Sequence, residues 1–162
     1  MHMAPTTGET LMAEHDATTN MAGIEAELDL AEMEIASGRF GEARLRFARM
    51  TRIQRETPRA LVLRARATQT EESRRMLASF VRQALDRFKD PLSRALLAEA
   101  LALCGDRAAA MKALPKEGDL NSNEISARQA ALDAMGSVPD LPEESGLTLG
   151  ALLQQKLLRR TS

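Results

Sequence analysis

Few residues in this 162-residue chain could do chemistry, and their spacing assembles no reaction centre. The two histidines, His2 and His15, both lie near the N-terminus. Glu14-His15-Asp16 could touch a metal, yet adjacent residues seldom fill a coordination shell. The single cysteine, Cys104, has no histidine within sequence reach to activate it and reads as a packing residue. Glu27 and Glu34 stand seven positions apart and could act as acid and base, but charges on a solvated helix explain them better. No Gly-rich phosphate loop and no metalloprotease motif occurs. The expectation is a protein that is not an enzyme and holds no metal or cofactor.

The arginines are the more informative set. Arg44, Arg49, Arg52, Arg55 and Arg59 recur at near-helical spacing and could follow phosphates along a nucleic acid. Lys is scarce among them and stacking aromatics are absent, so a solvated face or pairing with acids is the commoner outcome. A regulatory or nucleic-acid-associated protein using the Arg-rich face of residues 44–59 is the alternative reading of function. Charge is polarised along the chain. Residues 1–38 hold eight acids and no Lys or Arg, whereas residues 39–94 hold fifteen Lys/Arg against six acids.

The elements that must position these side chains are helices. Apolar residues make up 44%, charged residues 28% and aromatics only 2%, which leaves Leu, Ala, Met and Ile to build the core. Ala and Leu favour helix, β-branched residues are sparse, and the class reads as all-α. Ile24, Leu28, Ala31 and Ile35 make one stripe of a first helix over 21–37, with Glu25, Asp29 and Glu32 on its other side. Gly38 supplies a left-handed stop. A second helix is predicted over 41–55, its inner arc being Ala43, Phe47, Met50 and Ile53. Pro58 opens a third helix over 58–69. Thr70 caps a fourth over 71–88, burying Leu77, Val81, Ala84 and Phe88. Asp90-Pro91 starts a fifth, ended by Gly105. A sixth runs to Leu114, and Asn121 or Asn123 caps a seventh that ends near Met135.

The chain also repeats. A shift of 67 residues lays Leu28 on Ala95, Leu30 on Leu97, Ala31 on Ala98, Gly38 on Gly105, Ala43 on Ala110 and Phe47 on Leu114. A shift of 34 lays Ala43, Phe47 and Met50 on Leu77, Val81 and Ala84. Half of the longer shift is close to the ~34-residue period of stacked helical hairpins. In its first unit, Leu30, Ala31, Gly38, Phe40, Ala43 and Phe47 make the chain resemble the tetratricopeptide repeat (TPR) family. Its third unit keeps Leu97, Ala98, Gly105, Ala110 and Leu114. Glu27 and Glu34 stand where that family places aromatics, and the second unit has no Gly at its turn. The resemblance implies a right-handed superhelix of antiparallel helix pairs, about three pairs with a C-terminal capping helix. It also implies a concave groove, lined by the first helix of each pair, that holds a protein or peptide partner. Carried over position by position, the groove presents Glu25, Leu28 and Glu32, then Arg59, Val62, Arg66 and Gln69, then Ala95, Glu99 and Leu103. Arg59 and Arg66 are placed to clamp a carboxylate with two-pronged hydrogen bonds. The partner-binding residues so implied are Glu25, Glu32, Arg59, Arg66, Gln69 and Glu99, and the protein would serve as an adaptor or chaperone.

The ends read differently. Residues 1–20 are polar and without period, and are expected to form a disordered tail. The helical repeat domain spans 21–135, and 136–145 is a Pro-containing linker. The segment 146–162 is a Leu-rich helix with six Leu between 147 and 158. It is expected to cap the last unit, with self-association as the sharper alternative. No apolar run is long enough to span a membrane. One cysteine and no secretory pattern favour the cytoplasm.

Overall fold

A computed structural model describes residues 23–142, which form eight helices and, among those residues, no strand. They are α1 (residues 23–36), α2 (Phe40–Ala48), α3 (Arg52–Arg55), α4 (Pro58–Ala67), α5 (Glu71–Ala84), α6 (Pro91–Leu103), α7 (Arg107–Ala113) and α8 (Ser122–Ser137). The tail expected at 1–20 and the Leu-rich helix at 146–162 lie outside the described residues.

Local chemistry sets the helix ends. The Asp90 carboxylate accepts from the Ser93 backbone N–H at 3.0 Å, and Pro91 follows in the first turn. Thr70 and Asn121 cap α5 and α8 in the same way, through Ser73 N–H and Glu124 N–H. Gly38 and Gly105 take φ of +77° and +81°, the left-handed conformation that ends α1 and α6 without a Cβ clash.

One expected helix is broken. In place of a single element over 41–55, α2 stops at Ala48 and a one-turn α3 begins after Thr51. Thr51 and Gln54 form a reciprocal capping box. The Thr51 hydroxyl accepts from Gln54 N–H at 3.3 Å, and the Gln54 side chain accepts from Thr51 N–H at 2.9 Å. The chain turns there, so Met50 remains buried while Ile53, expected on the same inner arc, is 82% exposed. The helix expected over 71–88 also ends early, at Ala84, with turns carrying the chain to Phe88.

α4 packs on α6 and α6 on α8, while ion pairs tie α1 to α4. The leading helices α1, α4, α6 and α8 therefore stand side by side, and α2, α5 and α7 follow as second members of pairs. The repeat is visible in burial. Ala31 and Ala98 are both fully buried, as are Ala43 and Ala110. Leu30 departs from it, being 42% exposed where its counterpart Leu97 is fully buried. α6 has a leading helix on each side, α4 and α8, and α4 lies between α6 and α1. The core includes Leu28, Leu61, Leu63, Val81, Leu97 and Leu101, with Cys104 among them.

The described part of the expected linker, residues 136–142, is ordered. α8 runs on to Ser137, and residues 139–142 fold back over the α6–α7 turn. Leu141 N–H donates to the Gly105 carbonyl at 3.0 Å, and Arg107 N–H donates to the Asp140 carboxylate at 3.1 Å. Arg75 donates to the Pro142 carbonyl at 2.6 Å.

Candidate interaction face

Glu25, Asp29 and Glu32 recur at four and three residues on α1, which puts all three on one side of that helix. That side faces α4. Arg59, in the first turn of α4, reaches all of them: Nη1 donates to Glu25 at 2.6 Å, and Nη2 to Asp29 at 2.6 Å and Glu32 at 3.2 Å. A cation near a helix N-terminus is disfavoured by the backbone dipoles, and the three carboxylates offset this. Burial works against the Arg59 charge, but Asp29 and Glu25 outweigh it and hold its pKa above the ordinary value.

Arg66 lies two turns further along α4 and continues the network. It donates to Glu99 of α6 at 2.8 Å and stands 3.7 Å from Glu32. Glu99 is 6% exposed, so this is the drier pair, whereas the α1 acids reach well into solvent. Four carboxylates thus share two guanidiniums across α1, α4 and α6, which leaves the wall net acidic. Exposed pairs of this kind are each worth about 0–1 kcal/mol, but a network fixes side-chain positions.

The structure therefore brings together five of the six residues singled out from sequence: Glu25, Glu32, Arg59, Arg66 and Glu99. The sixth, Gln69, is elsewhere. It follows the end of α4, and its side-chain oxygen accepts from Arg44 of α2 at 3.3 Å. The two arginines are also not open clamps, because their donors are already held by the chain's own acids. Val62 and Ala95, expected to line the groove, are buried in the core, and Leu103 is half-buried. Leu92, two turns before Glu99 on the same side of α6, is 38% exposed and belongs to the wall.

Sequence reasoning missed Asp29 as the third partner of Arg59, although its spacing from Glu25 was the signal. It also misread Glu34 as solvated. Glu34 is 5% exposed and accepts from Arg46 Nε at 2.7 Å, while Arg46 Nη1 donates to Glu27 at 2.6 Å. A guanidinium thus occupies the α1–α2 seam beside the two positions where the family resemblance puts aromatics. The Arg-rich face expected over 44–59 does not persist as one row, because the chain turns at Thr51. Arg44 turns to the Ala67 carbonyl, Arg52 to Glu56, and Arg59 to α1.

Cys104 is fully buried, and burial pushes its thiol up to about 12. At neutral pH it is a protonated packing residue. Among the described residues no group of three or more His, Cys, Asp or Glu is arranged to hold a metal ion, and no helix is long and apolar enough to cross a membrane. Comparison with protein-family models, with curated proteins and with solved structures finds no match to this chain.

Proposed function

We propose that the protein is a TPR-like interaction scaffold, an adaptor or chaperone, that holds a segment of a partner protein along the wall formed by its leading helices. The observation that carries this reading is the side-by-side placement of α1, α4 and α6 with a fixed charge network across their common side. A stack of helical hairpins buries its apolar faces between neighbours and leaves one extended inner surface free. The charge balance selects the partner's chemistry. Arg59 and Arg66 are occupied, and the α1 carboxylates are 53–66% exposed, so the wall suits a segment bearing Lys or Arg, with an apolar side chain against Leu92.

Site-specific crosslinking tests this. A photo-reactive amino acid is placed at Leu92 on the wall and, separately, at Leu45, which is 61% exposed on α2. In the native cell, the expected result is a defined crosslinked partner from position 92 and none from position 45. The same product from both positions, or from neither, overturns the reading.

A further inference from the structure

The opposite side of α4 carries a second arrangement of charge. Arg64 stands about 140° around the helix from Arg59 and about 160° from Arg66, at 100° per residue, so it points away from the wall. There it lines a cavity of about 270 Å³ between α2, α3, α4 and α5. Arg44 and Arg55 share the lining, and Phe47, Met76 and Phe80 supply apolar walls.

None of these three guanidiniums has a carboxylate at ion-pair distance among the described residues. Arg64 donates to the Arg55 carbonyl at 3.1 Å, and Arg44 to the Ala67 carbonyl at 3.1 Å and the Gln69 side chain at 3.3 Å. All of these acceptors are neutral. The nearby Glu56 is engaged by Arg52 at 3.2 Å and by Arg87 at 3.3 Å. Burial, and then Arg55, pull the Arg64 pKa below its ordinary value, yet an arginine stays charged. Elsewhere this chain surrounds an arginine with acids, as at Arg46 and Arg59. Here it gathers three around a hollow.

We propose that this cavity binds a small amphiphilic anion. Its single carboxylate or phosphate head is held among Arg44, Arg55 and Arg64, and its apolar body rests against Phe47, Met76 and Phe80. Guanidiniums match both heads with paired hydrogen bonds. A space of about 270 Å³ that opens to solvent has room for a charged head and a short apolar body. The site is independent of the wall on the other side of α4.

Calorimetric or NMR titration of the full chain with octanoate, octyl phosphate and octanol tests the proposal. At least one of the two anions is expected to bind saturably, one per chain and about tenfold more tightly than octanol. The tighter head identifies the source as a carboxylic acid or a phosphate ester. Arg64→Met and Arg55→Gln are each expected to weaken that anion about tenfold, whereas Lys112→Gln on α7 leaves it unchanged. The Arg55 side chain makes no structural hydrogen bond within the described residues, so Arg55→Gln still tests the site if Arg64→Met fails to fold. No saturable binding of either anion, equal binding of octanol, or folded variants that bind like the parent chain overturns the proposal. None of these results bears on crosslinking from position 92.

Discussion

The buried Glu34 depends on one arginine. Its carboxylate sits at 5% exposure and is held by Arg46, whose own side chain is 27% exposed. Removing one partner of a buried pair strands the other charge, which costs about 3–5 kcal/mol in a dry site. Partial exposure of Arg46 reduces this, so Arg46→Met is expected to lose about 2 kcal/mol in urea unfolding. Adding Glu34→Gln should restore more than half of that loss, because the stranded charge goes with it. Additive losses would instead show that the two side chains are not coupled. Cys104 makes a second prediction at this scale. A fully buried thiol held near 12 should resist an aromatic disulfide reagent in the native protein at pH 8. Its labelling rate should rise with denaturant in step with unfolding. Fast labelling without denaturant would mean that the α6–α7 turn opens readily.

At the scale of the helix, the two left-handed glycines separate two physical effects. Gly38 has open space where a Cβ would be, so Gly38→Ala meets only the backbone cost of about 1–2 kcal/mol. At Gly105 a Cβ would stand 2.9 Å from both the backbone nitrogen and Cγ of Leu141, and the backbone atom cannot swing aside. Gly105→Ala is therefore expected to cost at least about 1 kcal/mol more than Gly38→Ala, read as the difference in urea midpoints. Equal costs would show that residues 139–142 lift off easily. Both glycines were legible as helix stops, and the 67-residue shift pairs them. Leu141 against Gly105 was not legible, because nothing local in a Pro-containing stretch marks it as docked. The break at Thr51 is the opposite case. Thr51-Arg52-Ile53-Gln54 carries a capping box in plain view, but the apolar spacing of Ala43, Phe47, Met50 and Ile53 argued for continuity. The cap prevailed, since turning there leaves Met50 in the core and costs only the exposure of Ile53.

For the molecule as a whole, stability should follow the order of stacking. α4 and α6 each bury seven residues, α4 between α1 and α6 and α6 between α4 and α8, which puts α1 and α8 at the two ends of this order. A helix packed on both sides draws stability from two interfaces, a terminal one from fewer. Amide exchange is therefore expected to be slowest in α4 and α6 and faster in α1 and α8, measured by mass spectrometry on peptides. Uniform protection across all four would mean a single cooperative unit and would remove the distinction between centre and ends.

Local sequence by itself determined the all-α class, most helix starts and stops, and the repetition that puts Gly38 and Gly105 in equivalent turns. The class and the helix ends follow from side chains acting on backbone within a few residues of themselves, and the repetition reuses the same local signals 67 residues on. Only the tertiary structure decided which charges meet. Arg59 finds Glu25, Asp29 and Glu32, and Arg66 finds Glu99, across 27 to 34 residues of chain. The same stacking closed Glu34 onto Arg46 and left Arg44, Arg55 and Arg64 around a hollow. Helical spacing shows that a charge lies on one side of its own helix, but the helix that comes to face it is settled by how the apolar sides pack.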